Sequence, residues 1–103
     1  MKDERDFIDF GTQVTPTDKF IRDWRTLSPQ MQRVVKTKVE LLTNNPRHPS
    51  LKVHRLRRLR GIVWECYISN THRLLYQQQE GQLYLHSLGK HELIDKCHLR
   101  KYR

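Results

Sequence analysis

The sequence predicts an α+β domain with two layers, in which an N-terminal antiparallel helical hairpin packs on an antiparallel β-sheet. Apolar residues recur at helical spacing in the first half of the chain, while the second half alternates apolar and polar residues between short polar turns. A sheet with one apolar face needs a cover, and the helices supply it. The 103 residues suit one domain. We therefore expect a single domain over 1–103, with the charged residues 1–6 disordered.

A short strand and a helix are predicted at the start of this domain. Residues 7–14 read as a first strand, and the helix follows with Thr15 or Thr17 as its cap and Pro16 in its first turn. Three apolar side chains at i, i+4 and i+7 give this helix one apolar face: Phe20, Trp24 and Leu27.

A second helix is predicted directly after the first. Ser28 is placed to cap it, and Pro29 suits the first helical position. Its apolar stripe has the spacing i, i+4, i+8 and i+11: Met31, Val35, Val39 and Leu42. The helix is expected to end at 44–46, because a proline disfavours helical geometry in the residue before it.

Three strands are predicted over 62–69, 72–77 and 82–88, with a turn at Glu80 and Gly81. The first of them is expected to be half-buried, with the even-numbered residues 62–68 on its apolar face. Glu65 and Tyr67 then lie on the opposite, mixed face. Residues 90–97 are consistent with a short helix or with an edge strand.

The composition points to a nucleic acid as partner. Twenty Lys and Arg stand against eleven Asp and Glu, which gives a net charge of +9 and a pI near 10. Residues 47–60 hold six of the cations and no acid; a solvated charge run is the alternative reading. Two cysteines make no disulfide framework, and neither an apolar leader nor a membrane-spanning run is present. We expect a reduced, cytoplasmic protein that binds no membrane.

Four segments in order resemble the RelE/ParE superfamily of toxins from toxin–antitoxin modules. They are "LLTNNPRHPSLKVHRL", "WECYIS", "HRLLY" and "LHSLGKHE", and the resemblance spans roughly 20–94. It implies the RelE-like fold, no cofactor, and an antitoxin protein as partner. RelE-like, YoeB-like and YafQ-like members cleave mRNA on the ribosome without metal, whereas ParE-like members poison DNA gyrase. The fold is shared, so the function must be argued from the site.

Metal-free RNA cleavage sets a demand that three residues could meet. A base takes the 2′-hydroxyl proton, a cation stabilises the phosphoryl oxygens and an acid protonates the departing 5′-oxygen. Imidazole suits the proton transfers, and the planar fork of arginine suits the phosphate. The resemblance assigns Arg73 to the scissile phosphate and makes His54 and His91 the catalytic histidines. Which histidine is the acid stays open.

A basic rim around these residues is expected to bind the RNA backbone and to stack a base. Its candidate residues are Lys52, Arg55, Arg57, Arg58, Arg60, Tyr67, His72 and Lys90. The sequence departs from RelE at Glu65 and Tyr67, where RelE has lysines. The histidine spacings predict no metal site.

The sequence thus predicts the toxin of a type II toxin–antitoxin system, an endoribonuclease that acts on mRNA with the ribosome as a further partner. A gyrase inhibitor of the ParE kind and a basic RNA-binding domain without catalysis are the alternatives. Gyrase inhibitors need no acid–base histidines, so the set formed by His54, Arg73 and His91 favours the nuclease.

Overall fold

The computed structural model describes residues 13–56 and 62–90, which hold two helices and five strands. In chain order these are β1 (Val14–Pro16), α1 (Asp18–Arg25), α2 (Pro29–Asn44), β2 (His54–Arg55), β3 (Trp64–Tyr67), β4 (His72–Gln79) and β5 (Gln82–Lys90). A single 3₁₀ turn over Pro49–Leu51 precedes β2. The predicted α+β class is confirmed.

The sheet is mixed, so the prediction of a purely antiparallel sheet is wrong. Its strand order is β1-β5-β4-β3-β2, and β1 runs parallel to β5, with Val14 opposite Leu83. The other three neighbouring pairs are antiparallel. The alternation of apolar and polar residues along a strand does not encode the direction in which it pairs, so β1 gave no signal of its parallel pairing. The strand predicted over 7–14 meets β1 only at Val14, and residues 7–12 lie outside the described residues.

Helix α1 is capped by Thr17, one of the two predicted candidates. Thr17 Oγ1 accepts a hydrogen bond from the Phe20 amide at 3.1 Å and donates one to the His86 carbonyl at 2.8 Å. Pro16 closes β1 and does not enter the first helical turn, because the chain leaves the sheet only after it. The Asp23 carboxylate accepts a hydrogen bond from the Leu88 amide at 2.9 Å, which fastens α1 to β5.

Helix α2 follows the predicted boundaries. Ser28 Oγ accepts from the Met31 amide at 3.1 Å, and Pro29 occupies the first turn. The helix ends at Asn44, with Asn45 as its C-cap, directly before Pro46. Its buried residues are Val35, Val39 and Leu42, three of the four predicted for the stripe, and Met31 is partly buried beside them.

The main core lies between the two helices and one face of the sheet. It joins side chains of both helices to side chains of β3, β4 and β5, among them Phe20, Trp24, Val39, Cys66, Leu74 and Leu85. A smaller cluster of Val63, Leu75 and Leu56 lies apart from it. Both helices therefore contribute side chains to this core, and the predicted packing of a helical hairpin on the sheet is confirmed only to that extent. Their antiparallel packing on each other stays a prediction.

Strand β3 differs from its prediction on both faces. It begins at Trp64, so Ile62 precedes the sheet and is 52% exposed instead of sharing the buried face. Glu65, expected on a half-open face, is buried together with Val63. Alternation along the strand identified the two sets of residues but did not show that the second set is covered as well.

The turn between β4 and β5 is the predicted one at Glu80 and Gly81. Both residues have positive φ, 51° and 78°. A two-residue hairpin loop with this geometry matches the right-handed twist of its strands, and glycine adopts it without steric cost. The turn sets the β4–β5 register beside the loop, and a shift of one residue between Leu75 and Tyr76 then brings Arg73 opposite Gly89 and His72 opposite Lys90.

Candidate active site

His54 lies in β2, on the edge of the sheet, where it pairs with Glu65 of β3. Its Nε2 is 3.3 Å from Glu65 Oε1, and its Nδ1 is 3.2 Å from the Lys52 carbonyl oxygen. The side chain is 57% exposed. Each ring nitrogen thus faces an acceptor oxygen, while much of the ring faces solvent.

Glu65 is the acid that the described residues place at this site, and the sequence-based site prediction missed it. Its side chain is only 6% exposed, yet it approaches two basic groups: His54 at 3.3 Å and Arg73, whose Nε is 3.9 Å from the same oxygen. A buried carboxylate needs such partners because desolvation penalises its charge. One carboxylate oxygen therefore links two of the three predicted catalytic residues.

A signal for Glu65 was present in the sequence. Glu65 is the only acid between Glu40 and Glu80, a stretch that holds seven Lys and Arg residues. One carboxylate among many cations on a strand is a candidate for pairing with them. Alternation along β3 predicted a half-open face for Glu65. Its burial depends on the neighbouring strands, whose positions the sequence of one strand does not reveal.

Arg73 is anchored to the protein as well as to the site. Its Nη1 donates to the Ser69 carbonyl at 2.6 Å and to the His72 carbonyl at 3.0 Å, and the side chain is 18% exposed. These bonds brace the turn between β3 and β4. Arg73 is therefore a preorganised cation, with part of its hydrogen-bonding capacity already used.

Tyr67 gathers three cations around its ring. Lys52 Nζ and Arg73 Cζ each lie 4.7 Å from the ring centroid, and Lys38 Nζ lies at 5.9 Å. Cations within about 6 Å of an aromatic centroid are attracted by the ring quadrupole. The hydroxyl donates to Asn70 Oδ1 at 2.6 Å. Tyr67 thus serves to position cations, and base stacking by its ring stays a prediction.

His72 and Lys90 lie opposite each other on β4 and β5. Burial, and after it the charge of Lys90, lowers the pKa of His72 below its usual 6.5. Its Nδ1 is 2.7 Å from Thr71 Oγ1. Because neighbouring residues of a strand point to opposite faces, His72 points away from the face that carries Arg73. Contact of His72 and Lys90 with RNA stays a prediction.

The remaining predicted site residues are placed only in part. Arg55 is exposed on β2, beside His54, and pairs with Trp64. Lys52 is exposed and has a left-handed backbone, φ 46°, at the end of the 3₁₀ turn. Four predicted residues lie outside the described residues: Arg57, Arg58, Arg60 and His91. The predicted meeting of Arg73 with His91 is therefore untested.

A shallow pocket adjoins the site at Lys52. It has a volume of about 300 Å³, and its polar lining comes from Arg47, His48 and Lys52. The ring of His48 is oriented by Ser50, whose amide donates to Nδ1 at 3.1 Å. Lys52 lines this pocket and also lies against the Tyr67 ring, so basic side chains connect the pocket with the cations around Tyr67.

Two other chemistries find little support in the described residues. Over 13–56 and 62–90, no group of three or more His, Cys, Asp and Glu side chains is arranged to hold a metal ion. Burial raises the pKa of the Cys66 thiol to about 12, so this cysteine is a poor nucleophile.

Neither described helix is long and apolar enough to cross a membrane.

The fold is that of the RelE, YoeB and YafQ toxins. YafQ from E. coli superposes with a TM-score of 0.68 at 18% identity, covering 79% of this chain and 94% of that one. The YoeB–YefM complex from Staphylococcus aureus gives 0.63 at 18% identity, covering 76% and 94%. The E. coli RelBE toxin–antitoxin complex gives 0.56 at 23% identity, covering 75% and 93%.

These structures confirm, at the level of the fold, the resemblance predicted from the sequence. No protein-family model matches the chain, and a comparison with curated proteins finds no match. With identities this low, the shared fold does not decide the chemistry, which has to be argued from the residues of the site.

Proposed function

We propose that this protein is the toxin of a type II toxin–antitoxin system and a metal-independent endoribonuclease that cleaves mRNA, with the ribosome as the place of cleavage. The observation that carries the proposal is the convergence of His54 and Arg73 on Glu65. A proton-transfer group and a phosphate-binding group are thereby held together at the surface of a strongly basic protein. The fold, shared with RelE, YoeB and YafQ, supports the same conclusion.

The proposed reaction uses the RNA's own 2′-hydroxyl as nucleophile. Its oxygen attacks the adjacent phosphorus while a base removes its proton. The P–O5′ bond breaks, and an acid protonates the departing oxygen. The products are a 2′,3′-cyclic phosphate and a 5′-hydroxyl. His54 and His91 carry the proton transfers in this proposal, and Arg73 stabilises the phosphoryl oxygens.

The RNA backbone is proposed to run along the basic residues beside the catalytic group. Lys52 belongs both to the cations around Tyr67 and to the pocket lined by Arg47 and His48. Contacts of this kind hold the phosphates and carry no sequence information. Arg55 and Lys90, together with Arg57, Arg58 and Arg60, extend the proposed track.

An antitoxin protein is the proposed partner in the cell. The comparison structures include a YoeB–YefM complex and a RelBE toxin–antitoxin complex. The short edge strand β2 carries His54 and the exposed Arg55, so an acidic segment laid along it would cover the site.

The test is to induce wild type and the variants His54→Ala and Arg73→Lys in growing cells and to map RNA ends. Lysine keeps a charge at position 73 but lacks the planar fork, and circular dichroism checks that the variant is folded. Wild type should arrest growth and generate 5′-hydroxyl ends within mRNA. Each variant should cleave mRNA at least about 10²-fold more slowly than wild type.

Two outcomes would contradict the proposal. Broken chromosomal DNA with intact mRNA would indicate gyrase poisoning, and arrest as strong in both variants as in wild type would exclude these residues from the chemistry. Purified protein, assayed on mRNA with and without ribosomes, tests whether the ribosome is required.

A further inference from the structure

We propose that the pocket beside Lys52 and the two lysines at the Tyr67 ring together form a subsite for one RNA nucleotide next to the cleaved bond. Lys38 and Lys52 bind the phosphate of this nucleotide, and the pocket binds its base, with guanine preferred. The inference rests on the proposed function, which makes RNA the ligand. It adds a role for Lys38 and a ligand for the pocket.

Two lysines from separate parts of the chain converge on the ring of Tyr67. Lys38 belongs to α2 and Lys52 to the loop before β2, and their ammonium nitrogens lie 5.9 and 4.7 Å from the ring centroid. No carboxylate of the described residues forms an ion pair with either ammonium. The ring attracts both charges but does not neutralise them. An ammonium only donates hydrogen bonds, so the oxygens of a phosphate suit this place.

Arg73 indicates which phosphate the two lysines bind. Its Cζ lies 4.7 Å from the same centroid, and it is the residue proposed to bind the scissile phosphate. Its Nη1 already donates to the carbonyls of Ser69 and His72, which leaves Nη2 for the substrate. A phosphate on Lys38 and Lys52 is therefore a second one, close to the scissile phosphate in the same strand.

The backbone of Lys52 has a conformation that lysine rarely adopts. Its φ of 46° lies in the left-handed region, where glycine is favoured because a Cβ is crowded there. The side chain is exposed and therefore contributes little to the core. Its contacts are with the Tyr67 ring and the pocket. Strain of this kind at an exposed residue indicates that the side chain is used in binding.

The pocket combines apolar walls with hydrogen-bond donors. Its volume is about 300 Å³, and its lining residues are Pro46, Arg47, His48, Pro49, Lys52 and Val53. The two proline rings and Val53 offer apolar surface, which the face of a base uses and a phosphate does not. Because Lys52 belongs to the pocket and to the Tyr67 cluster, the base and the phosphate of one nucleotide fit the two places together.

The donors of the pocket favour guanine. Arg47 and Lys52 donate hydrogen bonds and accept none. Guanine presents two adjacent acceptors, N7 and O6, on one edge, and the planar fork of an arginine matches both. Adenine has an amino donor beside its N7, cytosine also presents an amino donor, and uracil presents a single acceptor on that edge. Guanine is therefore the base that satisfies Arg47 best.

Guanosine 3′,5′-bisphosphate tests both parts of the subsite. It carries a phosphate on each side of the nucleoside and has no phosphodiester bond to cleave. Its binding to the full-length protein is measured by isothermal titration calorimetry, beside adenosine 3′,5′-bisphosphate and inorganic phosphate. Wild type should bind the guanosine compound about tenfold more tightly than either of the other two.

Three variants separate the contributions. Lys38→Gln and Lys52→Gly should each weaken both nucleotides about fivefold. Glycine adopts the backbone of residue 52 without steric cost, so the urea midpoint of Lys52→Gly should stay near that of wild type. Arg47→Gln should abolish the preference for guanine, because a glutamine side chain matches the edge of adenine. The matched controls are Lys36→Gln and Arg33→Gln, at exposed positions of α2, and both should bind like wild type.

Several results would overturn the subsite. Equal affinity for the two nucleotides, or inorganic phosphate bound as tightly as the guanosine compound, would exclude the base from the pocket. Lys38→Gln behaving like Lys36→Gln would exclude the phosphate from the two lysines. A glutamate-rich peptide that binds wild type but not Lys38→Gln, with neither nucleotide bound, would assign the lysines to a protein partner instead.

The subsite and the proposed function fail separately. A protein that cleaves mRNA but binds neither nucleotide would refute the subsite and keep the nuclease. A protein that binds the guanosine compound as expected but cleaves no RNA would support the subsite and refute the nuclease.

Discussion

At the scale of single residues, the site depends on charges that hold one another in place. Two carbonyls accept hydrogen bonds from Arg73, and the cationic groups of Lys52 and Arg73 each lie 4.7 Å from the centroid of the Tyr67 ring. Side chains fixed before the substrate arrives lose little entropy on binding, and this favours catalysis by positioning. The contacts that restrain Arg73 are compatible with its proposed role, which is to bind the scissile phosphate in one fixed position.

His72 makes stability depend on pH. Burial, and then Lys90, lowers the pKa of His72, so the folded protein binds this proton less tightly than the unfolded chain, in which the value is near 6.5. Acid therefore favours unfolding: the contribution of His72 is complete above pH 6.5 and is lost as the pH falls through the lowered pKa. Urea unfolding between pH 5 and 8 measures it.

The variant His72→Gln should flatten that part of the stability curve, and Lys90→Gln should flatten it by a smaller amount because burial is the larger cause. A wild-type curve that keeps the same slope in His72→Gln would show that other groups produce the dependence.

At the scale of elements, the helix caps differ in what they hold. Thr17 caps α1 and also reaches the His86 carbonyl, whereas Ser28 caps α2 at the surface and bonds only its own first turn among the described residues. We expect Thr17→Ala to cost about 2 kcal/mol of unfolding free energy and Ser28→Ala about 1 kcal/mol. Equal losses in urea titrations would argue that the bond to β5 contributes nothing.

Elements whose signal is local were predictable from the sequence. The cap at Ser28, the end of α2 at Asn44 and the turn at Glu80 and Gly81 each depend on a few adjacent residues, and all three predictions are confirmed. The direction of β1 and the burial of Glu65 depend on strands distant in sequence. His54 and Arg73 were found through the family resemblance, and Glu65 was missed because only the register brings it to them.

At the scale of the whole molecule, a net charge of +9 should make RNA binding strongly dependent on salt. The logarithm of the affinity for a single strand should fall with the logarithm of salt concentration, by about 0.7 for each phosphate neutralised. Lys52→Ala should reduce this slope by about 0.7, and Lys36→Ala, a change on an exposed position of α2, should leave it unaltered. Fluorescence anisotropy at several salt concentrations measures it, and equal slopes for the two variants would remove Lys52 from the RNA track.

The pairing of β1 with β5 affects how the protein is made. Val14 finds its partner at Leu83, and β5 lies between β1 and β4 in the sheet. During synthesis, β1 therefore has no neighbouring strand until most of the chain has been translated. Contacts between residues so distant along the chain are slow to form. Prematurely terminated products that lack β5 would expose the apolar side of α1, which would make them substrates for chaperones and proteases.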